Sequence, residues 1–421
     1  MKGSKVFASI GALAALNFAL VFVFQWYLLV YFGAGAQTDI FFGTLAAPQF
    51  IFLVLSGSLS LVLIPILSPL KGEKFKKESW NYFNLITVLF VGIGTIGFFT
   101  VQYWVPLLLP GFTGDTLSTA IAVSRIQLVS MVLNASLSVL LAVHFSRENY
   151  VRIEASGAAA NFISLVILYF TIEKMGIFAA VWATTARIAA QLFYLMPILG
   201  RFRWINKRNS TFPVTMQKLK PLLLGSIYYR TDTLVDRYLT SRLPAGDLTL
   251  FNFAQQIYGA VNSIVVKIFI NTMVPPMAKA YNVHDMVTFR KLFANRLKWI
   301  AVVMIASALF IVFLGKPTLE FLLTYRNLSS ASIERLWWLL ILLFGLFAGG
   351  VLGSLSNSTF FASLDTRTPT VASAVLFTIY LPVKVFCFWQ YGIKGLAISI
   401  SIYQLVNFAL HYYFLRKHKK V

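Results

Sequence analysis

Charged side chains embedded in long apolar runs are the residues of this 421-residue sequence best suited to chemistry. Six are basic: Arg125, Arg187, Arg230, Arg237, Lys267 and Lys384. A Lys or Arg at the centre of a membrane helix costs on the order of 3 kcal/mol on insertion scales, so such groups usually face a bundle interior or a watery cavity. Cations gathered around a cavity would bind an anion, and the planar fork of Arg matches phosphate bidentately. Arg187, Arg230, Lys267 and Lys384 lie well inside their runs, so they are expected to share a cationic lumen. Arg237 is expected to snorkel towards the headgroups, and for Arg125 snorkelling and a lumen position stand as equal alternatives.

The run Tyr228-Tyr229-Arg230-Thr231-Asp232-Thr233-Leu234-Val235-Asp236-Arg237 places four formal charges in eight residues. On a helix Arg230 and Arg237 fall about 20° apart, while Asp232 and Asp236 fall about 40° apart on nearly the opposite side. The acids therefore cannot simply neutralise the bases within one helix. Three arrangements remain open: one pair faces the lumen while the other meets a neighbouring helix, an acid takes up a coupling proton or sodium ion, or interhelical ion pairs fix packing. Asp39 is either a residue of the cavity mouth or an ordinary acid at a helix N-terminus. Asp39, Asp232 and Asp236 are thus the candidates for ion coupling or gating. Tyr228, Tyr229, Gln256, Asn262 and Asn271 could contact a polar substrate.

The elements that must position these groups are membrane helices. The chain is 58% hydrophobic, 16% aromatic and only 12% charged, with mean hydropathy +0.76, against roughly 25% charged residues in soluble domains. A soluble globular fold is excluded. Runs long enough to cross a bilayer, about 20 residues each, fall at about 6–30, 40–68, 82–105, 119–143, 153–171, 177–199, 220–241, 248–275, 298–315, 334–360, 370–389 and 395–415. Of the 36 Lys and Arg, 24 lie on the side of both termini and six on the other, which predicts cytoplasmic termini and accounts for most of the +22 net charge without a nucleic-acid partner. The first run shows no small-residue cleavage site and reads as a helix of the mature chain. One cysteine, Cys387, and four unpaired histidines leave no disulfide framework and no metal-ligand spacing; no cofactor is expected beyond a coupling ion.

Internal repetition organises the twelve runs. Gly35, Phe42 and Pro65 recur at the same spacing as Gly246, Phe253 and Pro276, and Gly176-Ile177 is matched by Gly392-Ile393. An all-α membrane protein is predicted, with two six-helix lobes, 1–199 and 220–421, joined by a cytoplasmic linker at 200–219 and related by a pseudo-two-fold along the membrane normal. Pro48, Gly57 and Pro65 in the second run and Val274-Pro275-Pro276 ending the eighth predict bends or free carbonyls at corresponding places.

Phe32-Gly33-Ala34-Gly35-Ala36-Gln37-Thr38-Asp39-Ile40-Phe41-Phe42, followed by Pro65-Ile66-Leu67, resembles the first signature of the MurJ-like mouse virulence factor family, within the multidrug/oligosaccharidyl-lipid/polysaccharide exporter superfamily. Val235-Asp236-Arg237-Tyr238 through Leu243-Pro244-Ala245-Gly246 is similar to its counterpart in the second half. The resemblance implies a flippase of undecaprenyl-pyrophosphate-linked saccharides in a bacterial inner membrane, working by alternating access driven by an ion gradient or the membrane potential. It carries Asp39 over as the family's acid of the second helix and Asp236 as a candidate cation ligand.

Three departures bear on the substrate. Lipid II flippases of the family have arginines in the first helix, where this chain has Asn17 and Gln25. They often have Ala-Asp-Arg where it reads Ala254-Gln255-Gln256, and usually add two helices where it ends in Arg416-Lys417-His418-Lys419-Lys420. The expected substrate is therefore an O-antigen or exopolysaccharide repeat unit on its polyprenyl pyrophosphate, with lipid II as the alternative and membrane lipids and polysaccharide assembly proteins as partners. Arg125, Arg187, Arg230, Lys267 and Lys384 would supply the anion site. A major-facilitator carrier is disfavoured because Pro69-Leu70-Lys71-Gly72-Glu73-Lys74-Phe75-Lys76-Lys77 lacks that group's Gly-rich loop with its Asp and Arg. A membrane polymerase or ligase is disfavoured because the longest external loop, about 316–333, has Glu320 as its sole acid.

Overall fold

The computed structural model describes residues 2–204, 212–324 and 328–418, with the side chains of 2–8, 55–58, 60, 61, 212–214 and 216–224 left aside. Among the described residues the chain is helical and has no strand. Arg326, most of the linker's basic residues and Lys419-Lys420 lie outside them or among the side chains left aside. Two compact units divide at Arg242/Leu243.

The first unit contains α1 (Lys2–Phe32), α2 (Ala36–Thr44), α3 (Ala46–Leu67), α4 (Gly72–Leu108), α5 (Gly114–Phe145), α6 (Tyr150–Met175), α7 (Ile177–Leu195) with a terminal 3₁₀ turn, and α8 (Phe212–Thr240). α2 and α3 are one predicted span broken at Leu45. Pro48 has no N–H to give to the Thr44 carbonyl, so the helix is interrupted one turn before it. The Thr44 hydroxyl donates to Ile40 O (2.5 Å). α4 with α5 and α6 with α7 form antiparallel pairs, α1 lies on α6, and α5 is the central helix, touching α3, α4 and α7. The core includes Leu63, Phe90, Leu140 and Leu195, all inaccessible to solvent. α8 packs along α3, and the Tyr82 hydroxyl lies 2.5 Å from that of Thr215. The predicted seventh span therefore belongs to the first compact unit.

The second unit contains α9 (Asp247–Val265), α10 (Val274–Asn282), α11 (Met286–Leu309), α12 (Gly315–Leu323), α13 (Ser330–Leu342), α14 (Phe344–Ala362) and α15 (Arg367–Lys417). π-helical turns follow α9 at Val266–Ile270 and α11 at Phe310–Leu314. Pro275 and Pro276 cannot donate backwards, so α10 restarts with them in its first turn. α14 and α15 pack closely because a Cβ at Gly349 would stand 2.5 Å from the carbonyl carbon of Gln404.

Ten helical stretches among the described residues are long and apolar enough to cross a membrane. The last, α15, bends at Gly392 and holds the predicted eleventh and twelfth spans. α8 is outside the ten because of its clustered charges. Gly176, which separates α6 from α7, has φ 56° and ψ −137°, and Gly392 has φ 58° and ψ −140°. The two repeated glycines thus make the same left-handed break, a conformation closed to residues with a Cβ.

Candidate functional site

Within the first unit, α2, α3, α5 and α7 enclose a recess of about 90 Å³. Gln127, Ser130, Met131 and Asn134 of α5 line it, spaced at i, i+3, i+4 and i+7 and so on one face. Val181, Thr184, Arg187 and Ile188 of α7 face them, with Gln49 and Phe52 of α3 at the rim. Gln127 is held by its Nε2, which donates to Phe41 O at 3.1 Å, while its buried Oε1 has no hydrogen-bond partner. The Ser130 and Thr185 hydroxyls meet at 2.5 Å and tie α5 to α7. Arg187 is half-buried at this recess, whose walls mix polar and apolar side chains, and its guanidinium offers several donors to an anion.

A second group forms where α2 begins and α8 ends. Asp39 lies in the first turn of α2 and Arg237 in the last turn of α8, each at the end of the helix macrodipole that suits its sign. Asp39, Asp236 and Arg237 are all buried, and the charges of both carboxylates act on the guanidinium. Arg237 does not snorkel, contrary to expectation, because it sits among these acids. Asp39 is both a helix-terminal acid and a member of a buried charge cluster. Its turn is set locally: the Thr38 hydroxyl donates to Gly33 O (3.1 Å) and accepts from Gly35 N (3.1 Å).

Arg230 is exposed although it shares a helical stripe with buried Arg237. Burial changes along this stripe, not around it. Tyr228 is exposed, and Tyr229 and Asp232 are half-buried. In the second unit Lys267 is exposed within the first π-helical turn, Gln256 and Asn262 are half-buried, and Asn271 is exposed.

Two expected anion ligands need correction. Lys384 is fully buried, its ammonium 5.3 Å from the Tyr380 ring, which stacks on Tyr403 at 4.1 Å between centroids. Packed beneath aromatic rings, it presents no surface for a substrate to reach. Arg125 is exposed with its guanidinium 5.3 Å from the Phe98 ring. It precedes Gln127 by two residues, about 200° around the helix, so it points away from the Arg187 recess.

Sequence reasoning missed the recess-lining Gln127, Asn134 and Thr184. The polar stripe Gln127, Ser130, Asn134 on an apolar helix was the available signal. Also missed was Glu154, whose carboxylate and carbonyl both accept from Asn17 Nδ2 (2.8 and 3.0 Å), while Asn17 Oδ1 accepts from Asn161 (3.1 Å). This network fixes α1 on α6. In the second unit Arg335 Nη1 donates to Asp247 at 3.1 Å.

The family model described as lipid II flippase MurJ matches residues 28–421. The chain belongs to the MurJ family. Two curated MurJ-family relatives, each described as a probable lipid II flippase MurJ, come from Buchnera aphidicola strains. One, from subsp. Acyrthosiphon pisum (strain APS), is 23% identical over 96% of this chain and 82% of its own length. The other, from subsp. Schizaphis graminum (strain Sg), is 21% identical over 91% and 77%. Among solved structures, lipid II flippase MurJ in an inward closed conformation superposes with TM-score 0.82 over 97% of this chain and 87% of that one, at 16% identity. An inward-facing multidrug resistance MATE transporter of the MOP superfamily superposes with TM-score 0.74 over 95% and 94%, at 15% identity. These likenesses establish the MOP flippase fold, and MurJ-family proteins are transporters, not enzymes.

The same findings overturn the expected O-antigen or exopolysaccharide substrate, since the MurJ family model and both relatives are described by lipid II. The first helix, whose lack of arginine suggested another glycan, lies almost wholly before residue 28 and carries little of the match.

Proposed function

We propose that this protein is a lipid II flippase, moving the peptidoglycan precursor from the cytoplasmic to the outer leaflet of the inner membrane by alternating access. The match to the MurJ model along nearly the whole chain carries the reading. The physical problem is to carry a hydrophilic, doubly charged head across hydrocarbon while the polyprenyl tail stays in lipid. Arg187, at a recess lined by Gln127, Asn134 and Thr184, supplies donors to the diphosphate, and exposed Arg230 and Lys267 supply further positive charge. Tyr228, Tyr229 and Gln256 contact the sugar and peptide portions. Asp39, Asp232 and Asp236 are the acids for coupling to a proton or sodium gradient. Both termini are cytoplasmic, as the distribution of Lys and Arg favours. In this reading 1–199 and 220–421 are the two moving lobes and 200–219 their linker, with α8, which packs on α3 in this structure, moving with the second lobe.

The test is reconstituted flipping of lipid II in proteoliposomes, read by its accessibility to an external reagent. A hydrogen bond to a charged group is worth about 1.5–3 kcal/mol, so Arg187→Gln is expected to weaken apparent lipid II affinity about tenfold to a hundredfold. Wild-type protein that moves no lipid II would overturn the function. Wild-type flipping with unchanged affinity in Arg187→Gln would overturn the site alone.

A further inference from the structure

On the face of α5 turned away from the Arg187 recess, α4 and α5 border an apolar groove of about 310 Å³, lined by Val91, Gly94, Phe98, Leu128, Val129 and Leu133. Gly94 leaves the wall thin there, since a Cβ at that position would stand 2.9 Å from Val132 Cγ2. Val91, Phe99 and Val129 are exposed along it, so this is a surface for hydrocarbon. At one end lies Arg125, exposed, over the ring of Phe98 that also lines the groove. Among the described residues Arg125 has no carboxylate partner.

We propose that this groove is a binding site for one anionic phospholipid, its phosphate on Arg125 and one acyl chain lying between α4 and α5. The antiparallel register supports the pose. α4 and α5 meet at the 109–113 turn, so Arg125 and Phe98 lie nearer that turn than Leu133 and Val91. From Arg125 to Leu133 the groove is about 12 Å long, comparable with the roughly 15 Å of hydrocarbon in one leaflet. α5 is about 48 Å long and the hydrocarbon about 30 Å thick. With the helix centred, Arg125 lies about 7–8 Å below the edge of the hydrocarbon on the side of the turn, a depth that its extended side chain spans to a phosphate. A headgroup there replaces the missing carboxylate, and the tail then runs down the groove towards the midplane. An Arg confined to a lipid-facing surface favours an anionic over a zwitterionic lipid. The site is separate from the lipid II reading and stands without it.

The test is photo-crosslinking of the full chain in phosphatidylcholine vesicles doped with phosphatidylglycerol bearing a photoactivatable acyl chain, with adducts mapped by peptide mass spectrometry. Adducts are expected within 91–99 and 128–133, about fivefold more than with the same tail on phosphatidylcholine. Arg125→Gln is expected to abolish the preference and Arg125→Lys to keep it. Val129→Trp, filling the groove from its exposed side, is expected to lower labelling by both lipids. Equal labelling by the two lipids, a preference that survives Arg125→Gln, or crosslinks to a second copy of the chain would overturn the proposal. Lipid II flipping is not the readout, so failure here leaves the proposed function untouched.

Discussion

Replacing Arg237 by Gln removes the base from a buried group that also holds Asp39 and Asp236. Breaking a buried ion pair by deleting one partner costs about 3–5 kcal/mol, because the remaining charge is left uncompensated. Here two carboxylates of like sign remain, so Arg237→Gln is expected at the upper end of that range. Asp236→Asn or Asp39→Asn has the opposite character: either leaves one acid facing one base, and the expected loss is about 1.5–3 kcal/mol, that of an interaction with a charged group. The double variant Arg237→Gln/Asp236→Asn leaves a single carboxylate and is expected to be more stable than Arg237→Gln alone. The assay is equilibrium unfolding of the detergent-purified protein, followed by tryptophan fluorescence and analysed as a double-mutant cycle. If Arg237→Gln is no worse than Asp236→Asn, or if the two single losses simply add, the three groups do not act as one charge cluster and the reasoning fails.

Gly176→Ala and Gly392→Ala are each expected to lose about 1–3 kcal/mol through backbone strain, since no atom lies within 4 Å of a Cβ at either site. Gly353→Ala, equally uncrowded but helical, is expected to be neutral or stabilising in the same unfolding assay. Gly349→Ala drives a Cβ against the backbone of Gln404, and an overpacking loss of about 1–3 kcal/mol is expected, with the α14–α15 spacing read by a spin-label pair. Asp285 caps α11 by accepting from Thr288 N at 2.9 Å, and the side-chain and backbone hydrogen bonds of Thr288 hold its carboxyl below the usual carboxylate value. A depressed carboxylate contributes stability that is complete above its unfolded pKa and is lost as pH falls through the lower folded value. Hydrogen exchange at the Thr288 amide is therefore expected to quicken only below about pH 4, and to be fast at neutral pH in Asp285→Ala.

Several features were legible from residue order because they depend on local chemistry. Hydrophobic runs located the helices, and Pro48, Pro275 and Pro276 marked breaks, since a missing N–H acts on its own turn, whereas α3 runs unbroken through Gly57 and Pro65. The match between Gly176-Ile177 and Gly392-Ile393 anticipated two breaks of nearly identical dihedral angles. The segment around Asp39 and its counterpart around Asp236 carried the family resemblance. The substrate was not legible because departures in the first helix, at Ala254-Gln255-Gln256 and at the C-terminal end say less about it than similarity along residues 28–421.

Where each charge points was not legible. A helical wheel puts Arg230 and Arg237 on one stripe, yet one is exposed and the other buried, because burial depends on which neighbour covers each turn. Arg125 and Lys384 are both candidates for the anion site; one lies over a ring on an exposed face and the other is sealed beneath aromatic side chains. Gln127 acquires its setting only from α2, α3 and α7, which close around it. The sequence by itself determined a many-helix membrane protein, some of its breaks and its family signatures, all of which follow from hydropathy and backbone chemistry within a few turns. Tertiary structure decided which polar groups meet and which face lipid, because the environment of a buried charge is made by helices distant in the chain.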